Sequence, residues 1–246
     1  MAGVVEAQDL AGPVAERPPC VRLAPDPAAV ADLLRDESRM TAAGAASVSE
    51  PATLDELRRV LRWHALEGHA VTVSGARTGV AGGAVPDLAT HVVSVAKLRG
   101  VAAIDLAAAP ATVRVLAGTT LRDLQAVLAA QARGWALPLD PTEAGASVGG
   151  MVATNAAGSR AFRFGATRDW VTALTVELAS GRTLHVARGA DRADGDAVTL
   201  VDGADRRIVH LRPSPSRTRR TRSATASPPM ATSSISSSAA KARSAW

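Results

Sequence analysis

Two glycine-rich stretches constrain this chain more than any other feature. In Val71-Thr-Val-Ser-Gly-Ala-Arg-Thr-Gly-Val-Ala-Gly-Gly-Ala-Val-Pro86, a short β-branched run enters a loop with four glycines. The second stretch, Ser147-Val-Gly-Gly-Met-Val-Ala-Thr-Asn-Ala-Ala-Gly158, follows about 65 residues on. Glycine lets main-chain N–H groups converge where a Cβ would collide with a ligand. Two such loops in one small domain point to a long anionic ligand gripped by backbone, and a dinucleotide has that shape.

Charge and aromatic content narrow the partners. The net charge of +5 is misleading, because residues 205–246 hold nine Lys/Arg against the single acid Asp205, which leaves −3 on the first 204 residues. Basicity belongs to the tail. With two Phe, four Trp and no Tyr, the chain lacks the stacking platforms of single-strand nucleic-acid binders. Cys20 is the only cysteine, which excludes an internal disulfide or a Cys-based zinc site. Glu6 and Asp9 interrupt the place of a signal-peptide core, and no apolar run approaches the ~18 residues of a membrane span. The expected location is cytoplasmic.

The order of elements predicts an α+β fold. Asp26 and Pro27 start a short helix with Val30, Leu33 and Leu34 on its apolar side. Thr53-x-x-Glu56 is a capping box, Leu54, Leu57, Leu61 and His64 share one helix face, and Gly68 ends the helix. Strands are predicted at Ala70–Ser74, His91–Val95, Val101–Ile104 and Thr112–Leu116. Thr120 caps a second helix with Leu121, Leu124 and Leu128 as its stripe and Gly134 as its stop. Two prolines keep Leu137–Pro141 irregular. Val171–Leu178, a Ser180-Gly181 turn and Thr183–Ala187 form a hairpin. Antiparallel pairs mixed with helices argue against a doubly wound sheet.

Single motifs point elsewhere or nowhere. The first loop lacks the lysine of a P-loop and does not satisfy G-x-G-x-x-G. Gly145-Ala-Ser147-Val-Gly149 matches a hydrolase nucleophile elbow, with Asp169 and His185 in the required order, but Asp140-Pro-Thr-Glu-Ala144 is a poor strand to precede it. The five histidines show no His-x-x-x-His or His-x-x-Glu-His pair, so no metal site is expected, and His64 on the first helix reads as a boundary residue and not a ligand. Arg160, Arg163 and Arg168 read as solvated charges, and Trp63, Trp135 and Trp170 as core.

Taken in order, the segments from Ser38 to Val186 resemble the PCMH-type FAD-binding domain of vanillyl-alcohol-oxidase-like flavoproteins, in the glycolate oxidase and D-lactate dehydrogenase branch. Thr53–Gly83 is similar to the family's first pyrophosphate segment, R-G-G-G-T-G-x-x-G-G. Ala117-Gly-Thr-Thr-Leu121 resembles A-G-V-T-L, Leu137-Pro-Leu-Asp-Pro141 the proline-rich approach to the flavin, and Val148–Gly158 the I-G-G-N-V-A-T-N-A-G-G loop. Arg163-Phe-Gly-Ala-Thr-Arg-Asp169 resembles R-Y-G-x-T-R-D. Ser74 stands for the family's arginine, Ala76 and Arg77 for its second and third glycines, and Met151 for an asparagine.

The resemblance implies a two-subdomain fold and a division of labour. Ser74, Gly75, Ala76, Arg77, Thr78 and Gly79 would serve the FAD pyrophosphate, with Gly82 and Gly83 close by. Pro138, Asp140, Pro141, Ser147, Val148, Gly149 and Gly150 would lie along the flavin, and Asn155, Ala157 and Gly158 near its ring and ribityl chain. FAD would be non-covalent, since no histidine sits at an attachment position. The substrate would be a small 2-hydroxy acid, bound by a separate substrate domain that this chain lacks and that a partner subunit could carry. No catalytic acid or base is nameable. A stand-alone FAD-binding subunit and a non-functional fragment are the alternatives; losing sheet partners weighs heavily against a stability margin of ~5–15 kcal/mol.

The expected organisation is an N-terminal extension over 1–37, the FAD domain over 38–212, incomplete at its C-terminus, and a disordered basic tail over 213–246. Back-translation of the tail adds an expectation. In the frame opening on the third nucleotide of the Met230 codon, the residues to Trp246 can encode G-D-L-V-D-L-L-V-G-G-E-G-S-L-G-V, and Arg219–Thr225 can encode K-N-T-V-G-Y. Both resemble the family's next stretch, which predicts a frameshift between Val209 and Ser216. Resequencing codons 205–246 and the bases beyond tests this: one intact frame with no downstream remnant of a substrate domain overturns it.

Overall fold

The computed structural model describes residues 16–87, 89–179 and 183–189, and the backbone of 197–202, 205–210, 234–241 and 243–244. The Ser180-Gly181 turn lies outside the described residues. Strands β1 (Val21–Leu23), β2 (Ser47–Ser49), β3 (Val71–Ser74) and β4 (His91–Ser94) form a first sheet in the order β1-β2-β4-β3. β4 runs parallel to both neighbours, and β1 closes one edge antiparallel to β2. Helix α1 (Leu54–Leu66) links β2 to β3. Thr53 caps it, with Oγ1 accepting from the Glu56 amide at 3.2 Å, while Glu56 reaches back to the Ala52 amide.

β4 is buried along its whole length because both faces are covered. Val93 packs with Leu57, Val60, Leu61 and Trp63 under α1; Val92, pointing the other way, packs with Val48 and with Val30, Leu33 and Leu34. The latter three come from a 3₁₀ helix, Pro27–Leu33, that Asp26 caps as expected. The stretch from Val21 to Leu34, expected in an N-terminal extension, therefore supplies an edge strand and a covering layer of this first subdomain.

The second sheet is antiparallel throughout, in the order β5-β6-β12-β8-β9, where β12 is Ser234–Lys241. Its strands β5 (Val101–Asp105), β6 (Thr112–Leu116), β8 (Val171–Glu177) and β9 (Thr183–Ala187) match the expected segments to within a residue or so. α2 (Leu121–Gln131) covers it with Leu121, Leu124 and Leu128, packed against Val113, Val115 and Trp170. The short β7 (Trp135–Ala136) follows, then α3 (Val148–Thr154), α4 (Ala161–Phe164) and α5 (Thr167–Trp170). β10 (Ala197–Asp202) and β11 (Asp205–His210) make a separate antiparallel pair.

One feature of the tail departs from the expected lack of structure. β12 (Ser234–Lys241) runs between β6 and β8, and β13 (Arg243–Ser244) pairs with β7. Two facing strand edges with unpaired N–H and C=O groups accept any backbone that can lie between them. No helix among the described residues is long and apolar enough to cross a membrane.

A buried ion pair ties the two sheets. Glu177, fully buried on β8, accepts from Arg58 of α1 through Nε at 3.1 Å and Nη2 at 3.0 Å, and from Thr183 Oγ1 at 2.7 Å. The bidentate geometry pushes the Arg58 guanidinium above its ordinary pKa. Arg58 also meets exposed Asp55. Glu177→Ala is expected to lower the unfolding free energy by about 2–3 kcal/mol, since it strands a half-buried cation. Asp55→Ala should cost under about 1 kcal/mol. Urea unfolding of both variants checks this, and equal losses would refute the tie.

Candidate functional site

The first glycine loop leaves the C-terminal end of β3, the end of a parallel sheet at which ligands bind in open α/β folds. Ser74 is fully buried there, and its Oγ has no hydrogen-bond partner among the described residues. After it Arg77, at a position where the resembled motif has glycine, sits at φ +60°. A non-glycine residue in that region costs about 1–2 kcal/mol, strain of the sort found at ligand sites. Among the described residues the amides of Arg77, Thr78 and Gly79 meet no protein acceptor. Gly79 and Gly83 face open space, while Gly82 backs onto Met40 and Ser38.

The second loop meets the first through one hydroxyl. Ser147 caps α3, its Oγ accepting from the Gly150 amide at 3.3 Å and, across the site, from the Ala76 amide at 3.3 Å. A Cβ on Gly75 would stand 2.6 Å from that Oγ. The second loop is in turn zipped to the Ala117–Leu121 segment: Gly149 N–H donates to Ala117 O at 2.8 Å, Val148 N–H to Thr119 O at 2.8 Å and Leu121 N–H to Ala146 O at 2.9 Å. Val148 and Gly149 are buried by this pairing, whereas Gly150 is exposed.

The remaining segments close on the same region. Gly158 lies so near the Asp140 carbonyl and the Pro141 nitrogen that no Cβ fits. Asp140 Oδ2 accepts from Ser159 Oγ at 2.6 Å, and Leu137 O accepts from Gln125 Nε2 at 2.6 Å, which fixes the segment through Pro138. Asn155 ends α3 in the left-handed region at φ +49°, and its Oδ1 accepts from the Arg168 amide at 3.0 Å. Ala157 is exposed beside it. Thr167 donates to Ala156 O at 2.7 Å, so the Arg163–Asp169 segment braces the second loop.

This arrangement suits a diphosphate bridged to a flavin. Arg77 is the only charged residue from Ser74 to Gly83, and the loop offers amide donors, an orphan hydroxyl and open space. A depression of about 560 Å³ beside Arg77 is lined by Arg22, Asp32, Glu50 and Ser94 but by no other expected site residue. Its two carboxylates are matched by the guanidiniums of Arg22 and Arg77, so the lining carries no net charge.

The nucleophile-elbow reading finds no geometry. Ser147 Oγ serves as the bridge and cap just described. Asp169 Oδ2 accepts from the Ala166 amide at 2.8 Å, and His185 pairs with Thr175 at 3.1 Å.

Sequence spacing missed one cluster. His64, His69 and His91 lie together, with a potential ligand atom from each within 4.8 Å of the others. His64, expected as a boundary residue of the first helix, is instead buried, 1% exposed. Burial, aided by the neighbouring His91 and His69, pushes its pKa down to about 4, and burial and His69 lower that of His91. The missed signal is His64-Ala-Leu-Glu-Gly68-His69, two histidines flanking a helix stop.

Known proteins place the chain. A D-2-hydroxyglutarate dehydrogenase of Xanthomonas citri pv. viticola is 36% identical over 169 residues, covering 68% of this chain and 35% of that protein. A D-lactate dehydrogenase of Anaerostipes hadrus is 41% identical over 116 residues, covering 47% and 24%. The chain thus spans about a third or less of these relatives. In fold it is similar to a xylooligosaccharide oxidase from Myceliophthora thermophila C1 (TM-score 0.62, 17% identity, 91% of this chain and 41% of that one). It is also similar to a Phl p 4 variant described as a glucose oxidase (TM-score 0.65, 15% identity, 94% and 42%). Residues 45–187, over half of the chain, match the FAD binding domain family model, and the chain belongs to that PCMH-type flavoprotein family.

Proposed function

We propose that this chain is the FAD-holding part of a dehydrogenase of small D-2-hydroxy acids. The observation that carries the reading is the Ser147 hydroxyl joining the two glycine loops in a chain whose relatives are a D-2-hydroxyglutarate and a D-lactate dehydrogenase. FAD, when bound, supplies the hydride acceptor. The chain's own residues bind and orient it. The amides of Arg77, Thr78 and Gly79 and the Arg77 side chain would meet the diphosphate, with the Ala76 amide held by Ser147 Oγ. Pro138, Asp140, Pro141 and Gly150 would line the flavin's approach, backed by the buried Ser147, Val148 and Gly149, and Asn155, Ala157 and Gly158 would hold the wall near its ring. No residue described here is assigned as acid or base.

Attachment is non-covalent in this reading, because the histidines at 64, 69, 91, 185 and 210 all lie outside the two loops and the Leu137–Pro141 approach. Acid precipitation of the flavin-loaded protein is expected to leave FAD in the supernatant; a yellow pellet refutes this.

FAD titration followed by flavin fluorescence tests the assigned residues. Ser147→Ala removes the cap and the bridge, about 1 kcal/mol, and should weaken FAD binding roughly five- to tenfold. Gly158→Ala should abolish tight binding, whereas unchanged affinity in both variants overturns the assignment. For the substrate class, the protein isolated from its own host is mixed anaerobically with D-lactate, D-2-hydroxyglutarate and their L-enantiomers. Bleaching of the flavin by a D-acid alone supports the reading, and bleaching by oligosaccharides instead rejects it.

A further inference from the structure

We propose that His64, His69 and His91 form a binding site for a zinc-class divalent cation, at the opposite end of the first sheet from the cofactor loops. Backbone geometry builds the cluster. α1 ends in a Schellman turn: Gly68, at φ +69°, donates to Ala65 O at 3.2 Å, and the His69 N–H donates to His64 O at 2.9 Å. In this motif the two residues sharing the outer bond usually meet through an apolar contact. Here they meet as imidazoles, Nδ1 to Nδ1 at 3.2 Å. His91 opens β4, and its N–H donates to Ala70 O at 2.9 Å. That register lays its ring on His69, with centroids 3.9 Å apart and planes inclined by 19°.

The cluster has the features of a ligand set more than of ordinary packing. His64 is fully buried, yet its Nε2 has no hydrogen-bond partner among the described residues, which a core histidine normally finds. Ser47, the register neighbour of His91 on β2, contacts its Nδ1 at 2.7 Å. It leaves Nε2 for a ligand, as the outer-shell partners of metal-bound histidines do. Trp63 walls the site, edge-on to His69 at 5.1 Å and tilted against His64 at 4.7 Å.

Three imidazoles without thiolate or carboxylate select zinc-like borderline cations over magnesium or calcium. Zinc–nitrogen bonds of about 2.0–2.1 Å in a tetrahedron put the nitrogens about 3.4 Å apart, so the ion would draw the His69 ring out of its stack on His91, whose near-parallel planes cannot both contain it. Half-buried His69 marks the side on which water completes the fourth position. The ion would fasten the end of α1 to the start of β4.

The test is equilibrium dialysis of the chelator-stripped full chain against Zn²⁺, with Co²⁺ as optical reporter. One tightly bound equivalent and a tetrahedral cobalt spectrum are expected. His69→Ala should lose both while keeping its circular dichroism, and Ser47→Ala should weaken affinity roughly 10–100-fold. His185→Ala, outside the cluster, should change nothing. Binding below one equivalent, or binding untouched by His69→Ala, overturns the proposal and leaves a packed imidazole stack. Should His69→Ala fail to fold, unchanged affinity in Ser47→Ala overturns it equally.

Discussion

Main chain meeting main chain is the constraint on which the cofactor face depends. At Gly118 the backbone presses against the carbonyls of Val95 and Leu98 too closely for any Cβ, and Gly118 N–H donates to Leu98 O at 2.9 Å. That contact docks the start of α2 on the exit of β4 and so joins the two sheets. The second glycine loop then hangs from the same segment by its bonds to Ala117 and Thr119. Gly158 against Asp140 closes the far side. A side chain at either glycine would push these backbone segments apart. The glycines of such a family therefore answer two demands, and only some of them face the ligand. Gly79 and Gly83 open onto space, whereas Gly118 and Gly158 are packing positions.

Arg77 shows how far the motif can depart without losing its shape. A glycine there would adopt φ +60° at no steric cost; arginine adopts it against a penalty of about 1–2 kcal/mol. The loop is held from outside, by Ser147 on the Ala76 amide and by Glu37 N–H donating to Arg77 O at 3.2 Å. In exchange the loop carries a permanent cation where the family motif has none, suited to a diphosphate.

The sequence made some parts of this legible and hid others, for physical reasons. α1, α2 and the β8–β9 pair are written in local signals, namely caps at Thr53 and Thr120 and unbroken apolar periodicity. The meeting of residues 75–76 with Ser147 was readable only through the family's segment order, because nothing local in either loop encodes the other. Residues 21–34 were set apart as an extension since three-residue strands and 3₁₀ turns carry little pattern. The strand at Ser234–Lys241 lies in Ser/Ala-rich chain with no strand signature, and its place is dictated by the edges of β6 and β8. The histidine cluster escaped because His91 is joined to His69 by parallel register, a relation that spacing rules within one helix do not test.

The parallel trio β2, β4 and β3 gives the first sheet two unlike ends. All three strands start at one end, where Ser47, His91 and Val71 are register neighbours, and β3 finishes at the other with Ser74 entering the glycine loop. The carboxyl end is built of small residues with room in front. The amino end is lined by stacked imidazoles and Trp63 instead. A 16-residue return, 75–90, connects the two, as a parallel neighbour requires when no helix makes the crossing. The length of that return is thus imposed by topology, and the cofactor loop occupies chain that the sheet had to spend on coming back.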